Sequence, residues 1–236
     1  MKILHVIDCI NEKQGGPSVS VPALAAAQAK LGHQVTIACR DYEYLGPMVR
    51  AEGVEVRSIP SNRWTKGQGG WGCSFRRLVQ EEAGKADVVH NHGVWLAANY
   101  YARRAAVKVG KALVISPRGM LDEWSLKRSR LKKFFAWHLF QRDNLRCANM
   151  FHATSSSEAQ SIEKALGRLV ESGRREEEGG SGSHGAVGTQ APASFWPQRP
   201  GALQSDSSWP RIVVAPNGVE VPEKIPSRER SEEHTS

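Results

Sequence analysis

Lys2-Ile3-Leu4-His5-Val6-Ile7-Asp8 opens the chain as a short apolar run, and Gln34-Val35-Thr36-Ile37-Ala38-Cys39 repeats the pattern after an Ala-rich stretch over residues 18–31. Apolar runs of this length, bounded by polar residues, are what strands buried on both faces of a parallel sheet look like. The stretch between them has high helix propensity, with Ser18 suited to cap its start and Gly32 suited to end it in the left-handed conformation. Pro22 falls about a turn inside, where a proline is better tolerated than in mid-helix. Strand, polar Gly-containing loop at 11–17, helix and strand make one βαβ unit.

Outward from this unit the alternation continues. Residues 54–59, 87–90, 112–116 and 150–154 read as strands; residues 75–83, 94–109, 126–145 and 157–166 read as helices, the third of them long and amphipathic. Repeated β–α alternation with short links predicts an α/β fold with a doubly wound, Rossmann-like parallel sheet. Ligands of such sheets bind beyond the carboxyl ends of the strands, which directs attention to the loops at 11–17, 90–93 and 116–120.

Residues 1–167 therefore form the Rossmann-like domain. Residues 168–208 are rich in Gly, Ser, Pro and charge and lack periodicity, so they read as a disordered low-complexity insert. Arg211-Ile212-Val213-Val214-Ala215 restores the strand pattern and Pro216-Asn217-Gly218-Val219 a turn, so residues 209–222 supply the last strand and turn of the same domain. Residues 223–236 read as a disordered tail.

The chain has 236 residues, 40% hydrophobic and 24% charged, with 32 basic against 24 acidic side chains for a net charge of +8. This composition excludes a fibrous or wholly disordered protein. No apolar run approaches the ~20 residues that span a bilayer, and the apolar residues before Asp8 are too few for a secretory signal. The four cysteines, Cys9, Cys39, Cys73 and Cys147, form no Cys-x-x-Cys pair, which fits reduced thiols and a cytoplasmic location.

Five motifs occur in order: Gly15-Gly16-Pro17 before a helix, Asp87-Val88-Val89-His90-Asn91-His92-Gly93-Val94-Trp95, Ile115-Ser116-Pro117-Arg118-Gly119-Met120-Leu121, His152-Ala153-Thr154-Ser155 and Pro216-Asn217-Gly218-Val219. Together they resemble the N-terminal domain of glycosyltransferase family 4, over about residues 1–167 and 211–220. The resemblance implies one half of a GT-B fold, in which two Rossmann-like domains face each other across a cleft. It implies that this half receives the acceptor, that a second half holds a nucleotide-sugar donor, and that the sugar moves with retention and without an obligatory metal or other cofactor. Pro216 to Val219 match the family's crossing into the second half. Only seventeen residues follow, against well over ~100 for a Rossmann-like half, so the donor half is expected to be missing and the chain alone inactive. Arg230-Ser231-Glu232-Glu233-His234-Thr235-Ser236 match the translation of a common sequencing-library adapter, and the tail is expected to be an artefact of the reading frame.

The chemistry-bearing residues follow from these motifs. Gly15 and Gly16 precede a helix N-terminus, where free N–H groups and the helix dipole favour an anion; the resemblance sets this loop beside the donor diphosphate. The spacing is not Gly-x-Gly-x-x-Gly, so a nicotinamide dinucleotide is not implied. His90 and His92 project to one side of a strand end. A zinc site needs at least a third ligand, none lies nearby in sequence, and no metal is expected. His92 is the better candidate for hydrogen-bonding a sugar hydroxyl. At Arg118 many family members carry a histidine that contacts the transferring sugar; an arginine there cannot act as a base but can stabilise a departing diphosphate or grip an anionic acceptor. Ser155 with Glu158 fits a capping box.

Residues 127–146 hold seven bases and one acid, a net +6. Lys127, Arg128, Arg130, Lys132 and Lys133, interleaved with Trp124, Phe134, Phe135, Trp137 and Phe140, suit a helix lying on an anionic membrane surface; core packing of the aromatics is the plainer alternative. No recognition module accompanies the bases, so nucleic acid is not an expected partner. The expected partners are a nucleotide-sugar donor, a glycan or lipid-linked acceptor and an anionic membrane surface, at the inner face of the membrane. Two other classes stay open: a non-catalytic membrane-binding module and an unrelated Rossmann-like nucleotide binder.

Overall fold

The computed structural model describes residues 1–178 and 210–216. Seven strands form one parallel sheet: β1 Lys2–Cys9, β2 Gln34–Asp41, β3 Val54–Pro60, β4 Val88–His92, β5 Ala112–Ser116, β6 Met150–Ala153 and β7 Arg211–Val214. Their order is β3-β2-β1-β4-β5-β6-β7. The chain thus leaves β1 in one direction and returns to β4 on its other side, which makes the β1/β4 boundary the topological switch point. There His5 of β1 lies in register with His90 of β4.

Helix α1 Gly16–Lys30 covers one face of β1 and β2, packing Val21 and Ala25 against Ile7, Val35, Ile37 and Cys39. Helices α3 Cys73–Lys85 and α4 Ala97–Lys108 cover the other face, where Phe75, Val79, Ala98 and Ala102 meet Leu4, Val6, Val89 and Leu113. The doubly wound sheet inferred from the alternating pattern is the observed one. A short helix α2, Arg63–Gly67, precedes α3.

Three local expectations are corrected. Helix α1 starts at Gly16, not after Ser18: Gly15 is its N-cap at φ +110°, and the Ser18 hydroxyl, fully buried, donates to the Gly15 carbonyl at 2.7 Å. A side-chain cap is dispensable because glycine alone reaches this conformation without strain.

The long helix expected over 126–145 is broken. Helix α5 Glu123–Lys127 stops, Ser129 adopts a left-handed conformation at φ +52°, and α6 Arg130–Ala136 runs through a π-helical turn at Trp137–Gln141 into α7 Arg142–Arg146. Continuing the helix through 128 would set Arg128 and Lys132 four apart as like charges. The break is instead stabilised by the Lys133 ammonium, which donates to the Ser125 carbonyl and to the Ser125 hydroxyl. The π-turn lets Gln141 accept from the Trp95 amide at 3.0 Å.

The predicted disorder from residue 168 is also overturned for its first part. Helix α8 runs Ser156–Glu178. Ile162, Ala165, Leu166 and Leu169 are buried along one face, and this apolar stripe carries the helix past Gly167. The rest of the expected insert, 179–208, the turn from Asn217 and the tail lie outside the described residues. Strand β7 follows and pairs in parallel with β6.

Candidate active site

Four histidines share the sheet face that α1 packs on. His5 comes from β1, His90 and His92 from β4, and His152 from β6; the ring centroids of neighbours lie 4.1–5.3 Å apart. All four are buried. A third ligand does not lie nearby in sequence, but the sheet supplies one in space: His5 comes from 85 residues upstream of His90, and nothing in the local spacing announces it. Ligand atoms of His5, His90 and His92 lie within 4.8 Å of one another, as a metal centre would require.

The hydrogen bonds around the cluster give it a different order. Arg118 donates to His92 Nδ1 from Nη2 at 3.1 Å and from Nε at 3.4 Å. A guanidinium only donates, so His92 Nδ1 must accept and the neutral ring carries its proton on Nε2. That Nε2–H faces His5 Nδ1 at 2.7 Å. His5 in turn carries its proton on Nε2 and donates to Gln28 Oε1 of α1 at 2.7 Å. Protonated at Nε2, His92 offers no lone pair to a metal at that atom. His152 donates from Nε2 to the Ala215 carbonyl at 2.9 Å.

Burial dominates the electrostatics. It pushes the His5 imidazole down to about 4, with the Gln28 bond opposing the shift and the positive charge of Arg118 assisting it. His90 and His92 are driven well below the usual imidazole range, again by burial, with neighbouring histidines and Arg118 adding to it. Arg118 is lowered to about 10 by burial, with Glu158 holding it up. Near neutral pH the site is one guanidinium on a bed of neutral imidazoles.

The Arg118 loop is held from three sides. Arg118 itself sits at φ +57° and Gly119 at φ +73°, a left-handed pair that is costly for a non-glycine residue and must be held by its surroundings. Glu158, the third residue of α8 and buried, accepts from the Gly119 amide at 2.7 Å, from the Thr154 amide at 2.7 Å and from the Thr154 hydroxyl at 2.6 Å. The expected capping box is half formed: the Glu158 amide donates to the Ser155 hydroxyl at 3.1 Å, while the carboxylate turns to the Arg118 loop. On the other side the Gly93 amide donates to the Ser116 carbonyl at 2.7 Å, and Trp95 Nε1 donates to the Met120 carbonyl at 3.0 Å.

Arg118 and His92 are thus in direct contact, a pairing that neither motif announces. Gly15 and Gly16 belong to the same mouth: Arg118 Nη1 reaches the Ser20 hydroxyl of α1 at 3.5 Å, one turn beyond the two glycines. Both glycines are exposed, and a Cβ added at either would meet nothing within 4 Å, so the approach to the helix N-terminus is open. Lys127, Arg128, Arg130, Lys132 and Lys133 stand apart on α5 and α6. Lys127 pairs with Glu123 at 3.1 Å and Arg128 lies over the Trp124 ring at 5.0 Å. Arg130 and Lys133 border an apolar groove of about 560 Å³ lined by Trp95, Leu126, Phe134 and Trp137.

A polar, cation-tipped mouth at the carboxyl ends of the central strands lies where open α/β sheets bind their ligands. The sequence matches the glycosyl transferase 4-like domain over residues 15–175, more than half of the chain, and the chain belongs to this family. It is similar in fold to Anabaena Alr3699/HepE, solved in complex with UDP (16% identity, 72% of this chain and 42% of that chain covered, TM-score 0.50) and with UDP-glucose (16% identity, the same coverages, TM-score 0.48). A further match is the lipopolysaccharide outer core galactosyltransferase WaaB in its apo form (17% identity, 72% and 42% covered, TM-score 0.41). The chain spans 42% of the length of each of these chains. No curated protein matches it by sequence.

Proposed function

We propose that this chain is the acceptor-side half of a retaining glycosyltransferase, which moves a sugar from a nucleotide-sugar donor onto a glycan or lipid-linked acceptor in surface-polysaccharide assembly. The observation that carries this proposal is the Arg118–His92 contact at the switch point, beside the open N-terminus of α1. Arg118, which donates to the neutral imidazole of His92, is a fork of fixed donors suited to a leaving diphosphate or an anionic acceptor. Gly15 and Gly16 let the backbone approach a phosphate closely. His92, with both ring nitrogens engaged, acts by holding Arg118, a narrower role than contact with a sugar hydroxyl. No metal or other cofactor enters the proposal. The chain spans 42% of the length of its solved neighbours, and we expect no turnover from it alone.

A turnover assay tests this with UDP-sugars and lipid-linked or free glycan acceptors, on this chain and on the complete gene product. Transfer by the complete product that falls ~10²–10³-fold in kcat with Arg118→Ala is the expected result. Robust transfer by this chain alone, or an Arg118→Ala product as fast as the parent, sinks the proposal.

A second role is favoured by one specific observation. Trp124, Leu131, Phe134, Phe135 and Leu139 are all exposed, Leu131 by 77%, and the five bases Lys127, Arg128, Arg130, Lys132 and Lys133 share the segment with them. Among the described residues no helix is long and apolar enough to cross a membrane; this patch would instead lie on an anionic inner-leaflet surface and bring the mouth to a lipid-linked acceptor.

A further inference from the structure

The bonds that order the histidine cluster have a direction, and the direction is set at one end. Arg118 cannot accept, so its bond to His92 Nδ1 fixes the tautomer of His92; the 2.7 Å contact then fixes the tautomer of His5; and the carboxamide oxygen of Gln28, also at 2.7 Å, completes the chain. Were either imidazole to take the other tautomer, two donors or two bare nitrogens would face each other inside the sheet, an arrangement that costs a full buried hydrogen bond. His5 and Gln28 do not bond Arg118, yet the coupling runs both ways: an acceptor at Gln28 favours the His5 tautomer that accepts from His92 Nε2, and with it the His92 tautomer whose Nδ1 lone pair meets the guanidinium.

We propose that His5 and Gln28 are positioning residues: through the chain Gln28–His5–His92 they hold the Arg118 guanidinium at the mouth, ready for the phosphate-type anion assigned to it above. This rests on the proposed function for what the guanidinium meets, but the chain itself stands on geometry alone. One further feature agrees with it: the same guanidinium that bonds His92 also reaches the Ser20 hydroxyl of α1 at 3.5 Å, beside the open helix N-terminus. The groups that face the two histidines are His90 on β4, His152 on β6, Arg118 and, through its loop, Glu158 on α8. Arg118 is the permanent cation among them, so a second proton on either histidine of the chain would set like charge against it.

The test uses the full chain, labelled with ¹⁵N at histidine. Long-range imidazole spectra at pH 7.5 should report His5 and His92 both protonated at Nε2 and bare at Nδ1. Gln28→Leu should shift the His92 Nδ1 signal, although residue 28 does not touch His92, and weaken inorganic pyrophosphate binding about 3–10-fold. Gln28→Glu, which offers an acceptor in the same place, should restore both. A proton on His92 Nδ1 in the parent chain overturns the positioning role, and so does a Gln28→Leu chain with an unmoved His92 signal and unchanged pyrophosphate affinity. If Gln28→Leu does not fold, the tautomers of the parent and of Gln28→Glu decide alone. Pyrophosphate bound equally by the parent and by Arg118→Ala overturns the anion role of Arg118 instead, which separates the failure of that role from the failure of the chain.

Discussion

The Glu158 carboxylate and the Gly119 amide, 39 residues apart in sequence, meet at 2.7 Å and tie the start of α8 to the loop that carries Arg118. With the two bonds from Thr154, this one buried carboxylate accepts three donors. Replacing it leaves those donors unpaired in a buried corner. Glu158→Ala should lower stability by about 3 kcal/mol and speed hydrogen exchange at the Gly119 amide. Urea unfolding and exchange spectra check this; a chain with unchanged midpoint and unchanged Gly119 protection would show that the carboxylate is idle.

Acid should unfold this protein earlier than its carboxylates would dictate. His5 is lowered to about 4 in the folded state, and His90 and His92 well below the ordinary value, while each titrates near 6.5 when unfolded. Between those values the unfolded chain binds more protons, so stability rises with pH there. It is present in full above about 6.5 and lost as the pH falls towards about 4, His5 alone accounting for about 3 kcal/mol. Thermal melts from pH 7.5 to 4.5 should show a steep fall in Tm with proton uptake on unfolding; a flat Tm across that window contradicts the buried cluster.

Arg40 and Asp8 form a buried pair at 3.6 Å, with the guanidinium 4.0 Å over the Phe75 ring and also donating to the Gly70 carbonyl. Arg40→Ala should cost about 3–5 kcal/mol by leaving the buried Asp8 carboxylate without its guanidinium, with only the long bond from the Tyr42 hydroxyl at 3.5 Å. The double change Arg40→Met with Asp8→Leu should recover most of it, since an apolar pair carries no desolvation penalty. Equal instability of the single and double variants in urea would contradict this.

The break at Ser129 can be probed with two substitutions. Valine is penalised in the left-handed region and glycine is not, so Ser129→Val should lose about 1–2 kcal/mol while Ser129→Gly loses none. A continuous helix would give the opposite ranking, with glycine the worse by about 0.3–0.5 kcal/mol. Chemical denaturation of both variants distinguishes the two.

The exposed patch on α5 and α6 makes a further expectation. The chain should co-sediment with anionic vesicles and not with neutral ones, and release at high salt. Changing Lys132 and Arg128 together to Glu should abolish binding, at roughly 1 kcal/mol for each charge removed. Binding to neutral vesicles, or none to anionic ones, removes the membrane surface from the proposed partners.

The strands were legible because burial on both faces writes near-continuous apolar runs such as Ile3 to Ile7, and the loop that bears Arg118 was legible because it follows such a run. His5 was hidden by the same rule, since a lone polar residue inside an apolar run reads as part of the run. Its partners lie on β4 and α1, and only register and helix placement bring them together. Glu158 matched a local pattern, a capping box, that accounts for its amide and says nothing of its carboxylate. The break at Ser129 had no glycine or proline to mark it, and the extension of α8 was masked by Gly167 although Leu169 keeps the apolar stripe going.

Because the mouth draws on β1, α1, β4, the β5 loop and α8, no short segment of the chain contains it. His5 and His92 are separated by 87 residues, Ser20 and Arg118 by 98. A nascent chain emerging from the ribosome could complete β1, α1 and β2 long before any of these contacts exist, and the contacts would then close late, with the high loop-closure cost that slows folding. In the folded protein the same wiring denies the site a local way to come apart: opening the contact between His5 and His92 means parting the two central strands of the sheet, so the mouth should persist as long as the domain itself.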